Sequence, residues 1–131
     1  MSQKTLDLVL VNPANRKRIY QSLSTNLSAI EPPVWAGLMA TFVRNKGFSV
    51  QIVDACADEL TVDETAARVA ELNPVLTAIV VYGHQPSAST QVMAGASSVC
   101  TAIKQQYPEQ KVLLLGGHVA ALPERSLREE Y

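Results

Sequence analysis

Short apolar runs rich in β-branched residues alternate along this chain with longer stretches whose apolar residues recur every three or four positions. That alternation constrains the fold more than any other feature. The short runs are Leu6–Val11, Ser49–Val53, Thr77–Tyr82 and Val112–Leu115. The first is almost continuously apolar, as befits a strand covered on both faces. Strands joined by helix-length connections run parallel, and a parallel sheet needs helices over both faces. The expected class is therefore α/β: a three-layer, Rossmann-like (flavodoxin-like) parallel sheet with helices on both faces.

Local signals mark the boundaries. Asn12-Pro13 ends the first strand, and Ala14–Ser28 reads as a long loop. Pro32-Pro33 opens a helix running to about Lys46, since proline suits a first turn. Trp35, Leu38, Met39, Phe42 and Val43 share its apolar face. Gly47 stops it, because glycine accepts the left-handed conformation. Thr61 and Glu64 make a capping box for the second helix. Its inner stripe is Val62, Ala66, Val69 and Leu72, and Asn73-Pro74 ends it. Ser89 or Thr90 caps the third helix, where Val92, Ala96, Val99, Ile103 and Tyr107 repeat at helical spacing. Cys100 lies on that inner stripe as a core thiol. Pro123 opens a last helical segment. The chain then ends at REEY, where this architecture supplies another strand. The expectation is one domain over residues 1–131, its last strand missing, forming the N-terminal module of a longer protein.

Composition narrows the function. Hydrophobic residues are 47% and charged residues 18% of the 131, which excludes a disordered chain. With 11 basic against 12 acidic residues, no basic surplus points to nucleic acid or to an anionic membrane. No apolar run approaches the roughly 20 residues of a membrane helix. The N-terminus lacks the apolar region and cleavage site of a signal peptide, and two cysteines make no disulfide framework. The expected compartment is the cytoplasm.

Ligands of open parallel sheets bind beyond the carboxyl ends of the strands. Here those ends hold Asn12-Pro13-Ala14-Asn15, Asp54-Ala55-Cys56, Tyr82–Ser87 and Gly116–Ala121. They are rich in Gly, Ser, Asn and His. Small residues let backbone approach a ligand closely, and uncharged polar groups suit amide and hydroxyl recognition. No GxxxxGK[ST] occurs, and NPAN replaces the dinucleotide GxGxxG after the first strand. A phosphoryl-accepting receiver would need acids where Asn12 and Tyr82 stand. CxxC and HExxH are absent, which argues against a zinc site.

Taken in order, VNPANR, EPPVWAGLMATFVRNKGFSVQIVDA, YGHQPSAST and LLLGGHVAALPERSL resemble the N-terminal cobalamin (B12)-binding domain of B12-dependent radical SAM enzymes. The similar proteins are methyltransferases and the magnesium-protoporphyrin ester cyclase-like group. The resemblance covers nearly the whole chain. It implies a corrin ring across the carboxyl ends of the strands, with the nucleotide tail running between sheet and helices. Carried over by position, Asn12, Pro13 and Asn15 face the ring's lower side, and Asp54, with Ala55, flanks its edge. Gly83, His84, Gln85, Ser87, Gly116, Gly117 and His118 line the tail. No catalytic residue and no protein ligand to cobalt is implied. The DxHxxG of other cobalamin domains, whose His ligates cobalt, is NPANRK here. The cluster motif CxxxCxxC is absent, so S-adenosylmethionine and a [4Fe-4S] cluster would belong to a radical SAM domain elsewhere in the parent protein. That domain, in cis, and the parent's small-molecule substrate are the implied partners.

Blander roles stand beside these. His84 reads as a polar loop residue, a ligand contact or a ligand to cobalt. His118 reads as a contact or a local hydrogen-bond partner, and Asp54 as a contact or a loop cap. Tyr82 packs in the core or touches the ligand. Trp35 packs, or faces the absent partner domain. Cys56, at a strand end, reads as an inert thiol. The function implied is a cobalamin-binding module that presents the corrin to the radical SAM domain for methyl transfer or oxidative cyclisation. The alternative is a non-catalytic interaction or regulatory module that has lost cobalamin. Bulky residues in the tail channel would mark the second.

Overall fold

The computed structural model describes residues 6–14, 30–83 and 88–129. In order come β1 (Leu8–Asn12), α1 (Val34–Asn45), β2 (Val50–Asp54), α2 (Val62–Leu72), β3 (Leu76–Val81), α3 (Ala88–Gln106), β4 (Val112–Gly116), α4 (Gly117–Ala121) and α5 (Pro123–Glu129). The strands form one parallel sheet in the order β2-β1-β3-β4. The chain winds outward in both directions from the central β1–β3 pair. This is the expected Rossmann-like α/β arrangement. No helix among the described residues is long and apolar enough to cross a membrane.

Side chains of a strand alternate between faces, and β1 uses both. Leu10 packs with Ala36, Ala40, Val50 and Val80 on the α1 side. Val9 and Val11 pack with α2 and α3 on the other, where Val69, Val99 and Ile103 close a larger core. All three β1 residues are fully buried. Each such burial stabilises by about 1.5–3 kcal/mol, which is why the run lacks polar relief. Cys100 is buried in the larger core, as its position on the stripe suggested.

The largest departure concerns α1. Its inward residues are Ala36 and Ala40, with Met39 and Val43 half-buried. Trp35, Leu38 and Phe42 face outward, at 45%, 59% and 64% exposure. Two alanines four apart let the helix lie close to the sheet, and the larger neighbours are turned away. Hydrophobic spacing located the stripe but not the half of it that the sheet accepts.

Smaller corrections follow from backbone chemistry. Pro33 is the N-cap and α1 begins at Val34; a residue followed by proline avoids the helical region, which keeps Pro32 out. The helix ends at Asn45, with Lys46 as C-cap and Gly47 at φ +90°. The Thr61–Glu64 capping box forms, and Asn73 closes α2 in the left-handed conformation. Val62 is exposed, and Thr65 takes the inward place, its hydroxyl donating to the Thr61 carbonyl at 2.7 Å. Because α3 starts at Ala88, Ser89 and Thr90 lie inside its first turn instead of capping it. Tyr107 lies beyond the helix end and is exposed. Most of the expected 14–28 loop falls outside the described residues.

Candidate functional site

Parallel strands bring all four carboxyl ends to one edge of the sheet. Asn12 and Asp54 end β1 and β2 in register. The Asn12 amide Nδ2 donates to Asp54 Oδ1 at 2.8 Å. The same oxygen accepts the backbone N–H groups of Cys56 at 3.2 Å and Ala57 at 3.1 Å. Asp54 thus shapes the turn after β2, as the loop-cap role requires. Ala55 N–H donates to the Asn12 carbonyl, and Pro13 is buried beside them.

At the other end, Gly116 faces Val81 across β3 and β4. A Cβ on Gly116 would stand 2.0 Å from the Val81 carbonyl oxygen, so only glycine fits. Gly117 differs. Its Cβ would meet Ser89 Oγ at 3.5 Å, an ordinary contact. The first glycine is demanded by strand packing, and the second opens room beside a side chain.

That side chain shares a property with Thr77 and Ser126: each is a buried hydroxyl without a hydrogen-bond partner among the described residues. Ser89 is 1% exposed, and its Oγ has no hydrogen-bond partner. An unmet buried hydroxyl costs about 1–3 kcal/mol. It lies in the first turn of α3, beside the β4–α4 junction. Next to it, Thr90 Oγ1 and His118 Nδ1 lie 3.2 Å apart; a local hydrogen bond is one of the two roles expected of His118.

On the α1 face, Trp35 stacks on Tyr82 with ring centroids 4.9 Å apart and planes at 24°. Tyr82 follows the last residue of β3, and Trp35 lies in the first turn of α1. The sequence shows each aromatic residue but not their meeting, which depends on how α1 packs against the sheet. Ser89 was legible only as a helix cap.

Of the expected contact residues, Asn12, Pro13, Asp54, Gly83, Gly116, Gly117 and His118 are described, and all lie at this edge. Asn15, His84, Gln85 and Ser87 lie outside the described residues. No group of three or more His, Cys, Asp and Glu able to hold a metal ion occurs among the described residues. Among the described residues, Asp54 is the one acid of this set, which otherwise offers amide, hydroxyl, imidazole and backbone groups. The set suits a large ligand fringed with amides and hydroxyls that brings its own metal. The orphaned Ser89 hydroxyl beside Gly117 fits such a ligand, since it offers a polar group with no partner in the protein.

Residues 21–131 match the B12 binding domain family, and the chain belongs to it. A curated relative, an uncharacterized methyltransferase of Pyrococcus horikoshii, is 27% identical over 126 residues. The match takes in 96% of this chain and 25% of that protein, so the chain spans about a quarter of the relative's length. No solved structure matches the chain significantly.

Proposed function

We propose that this chain is the cobalamin-binding module of a radical SAM enzyme. It presents the corrin to a separate iron–sulfur and S-adenosylmethionine domain for methyl transfer or oxidative cyclisation. The observation that carries the reading is the carboxyl edge of the parallel sheet, at its β3–β4 end, in a chain of the B12 binding domain family. There Ser89 keeps a buried, unpartnered hydroxyl next to Gly117.

Bound cobalamin would supply a cobalt centre able to carry a methyl group. The protein's part is to hold that group. Asn12 and Asp54 fix the β1 and β2 ends, Gly117 leaves room, and Ser89 offers a hydrogen bond. None of these residues needs to move a proton. The methyltransferase half of the reading draws on the Pyrococcus relative, most of whose length lies outside the match. The radical SAM half draws on the order of the four sequence segments and on the missing cobalt-ligating His. A cytoplasmic setting goes with oxygen-sensitive chemistry of that kind.

One observation favours the alternative of a module that has lost its ligand: the Trp35 and Tyr82 rings stand at this same edge. Mixing the 131-residue chain with hydroxocobalamin, desalting and recording the visible spectrum separates the two. Near-stoichiometric corrin bands are expected, and their absence overturns the cobalamin reading. A CxxxCxxC segment elsewhere in the native polypeptide, read from its mass-spectrometric sequence, tests the radical SAM assignment.

A further inference from the structure

We propose that the outward face of α1 is a homodimer interface, against which the same face of a second copy of this chain docks antiparallel. The inference does not depend on cobalamin binding.

The relief of the helix carries it first. Val34, Leu38 and Phe42 recur every four residues and are 58%, 59% and 64% exposed. They form one ridge on the side of α1 opposite Ala36 and Ala40, which bury against the sheet. No other described element carries as many exposed large hydrophobic residues. The neighbouring ridge, Gly37–Thr41–Asn45, is low, and a Cβ on Gly37 would meet nothing within 4 Å. Glycine inside a helix is destabilising, and no neighbouring side chain in this fold requires it there. A high ridge beside a low one is what a second helix needs to pack ridge into groove.

Symmetry and charge then select the occupant. The high ridge is centred on Leu38. A twofold axis there sets Leu38 against its own copy and Val34 against Phe42 in both directions, as an isologous contact demands. The sequence of α1 contains no acid. Glu31 is exposed just before its N-terminal end, and at the other end Lys46 Nζ lies 5.5 Å from the Phe42 ring centroid. An antiparallel copy turns each Glu31 toward the opposite Lys46, and each helix N-terminus toward the other's C-terminus. A parallel copy would set Lys46 against Lys46.

Sedimentation equilibrium of the 131-residue chain under reducing conditions tests the proposal. Wild type is expected to show a monomer–dimer equilibrium with Kd in roughly the micromolar range or tighter. Leu38→Glu places two carboxylates at the twofold axis and should weaken the dimer by about thirtyfold or more. Leu38→Ala replaces it if far-UV circular dichroism shows lost helix, and should weaken the dimer about tenfold. Leu127→Glu, at an equally exposed site on α5, should leave the equilibrium unchanged. Glu31→Lys and Lys46→Glu should each weaken the dimer by about two- to fivefold, and the double variant should restore it. Gly37→Ala should raise the melting temperature of the monomer and weaken the dimer. A chain that stays monomeric at every concentration overturns the inference and leaves the face to another part of the parent protein. A dimer that survives Leu38→Glu, or is lost in Leu127→Glu, also overturns it, because association then uses another surface. A dimer lost on each single charge reversal and not restored by the double one overturns the antiparallel arrangement.

Discussion

The side-chain amide of Asn12 and the carboxylate of Asp54 close a 2.8 Å hydrogen bond across the ends of β1 and β2. The same carboxylate oxygen caps two backbone N–H groups of the following turn. One acceptor therefore ties a strand pair to the loop beyond it. Asn12→Asp replaces the donor with a second carboxylate at hydrogen-bond range. The variant is expected to lose about 1–3 kcal/mol at neutral pH, read from the urea midpoint. A midpoint equivalent to less than about 0.5 kcal/mol of change would show that the link contributes nothing measurable.

Adjacent glycines at the end of β4 should behave in opposite ways. Gly116→Ala forces a Cβ to within 2.0 Å of backbone that cannot swing aside. The expected cost is about 3 kcal/mol or more, through overpacking of the sheet itself. Gly117→Ala adds a methyl at ordinary contact distance and should stay within about 0.5 kcal/mol of wild type. Thermal melts of the two variants check this, and equal melting temperatures would refute it.

The contrast bears on what a sequence makes visible. The β1 run, the capping box of α2 and the Gly47 stop are local signals, and each appears where the residues place it. The family resemblance brought Asn12, Asp54, Gly116 and Gly117 to one edge because parallel strands align their ends. What stayed hidden depends on packing between distant segments. Hydrophobic spacing groups Trp35 and Leu38 with the buried face of α1, because it does not say that Ala36 and Ala40 win the close contact with the sheet. Trp35 meets Tyr82 across 47 positions of sequence. Ser89 looked like a cap because a serine before a helical stretch is usually one; its burial under the β4–α4 junction is a tertiary fact.

The capping box of α2 makes a small pH-dependent contribution. Hydrogen bonding to the Thr61 backbone N–H, and then to its side chain, holds the Glu64 carboxyl below its ordinary value of 4.5. A carboxylate lowered on folding stabilises the protein above its unfolded value, and that stabilisation fades as pH falls through the folded one. Wild type should therefore exceed Glu64→Gln in stability at pH 7. The difference should shrink below pH 4.5. Thr61→Ala should cost about 1 kcal/mol at neutral pH. Urea titrations at several pH values check both, and a gap between wild type and Glu64→Gln that widens on acidification would contradict the argument.

Ser89 should separate stability from function. Its hydroxyl is buried with no partner, so the folded protein carries the desolvation of a polar group with no bond in return. Ser89→Ala removes that group and keeps the shape. The variant should be more stable than wild type by about 1 kcal/mol, seen as a higher melting temperature. A ligand that bonds the hydroxyl offsets the same desolvation on binding. Removing the hydroxyl should then lower cobalamin affinity by roughly tenfold, the worth of one hydrogen bond at about 1 kcal/mol or slightly more. Opposite signs in the two measurements are the signature of a side chain kept for binding. A variant both less stable and unchanged in affinity would make Ser89 a structural residue, and the case for this corner of the edge as ligand-facing would fall with it.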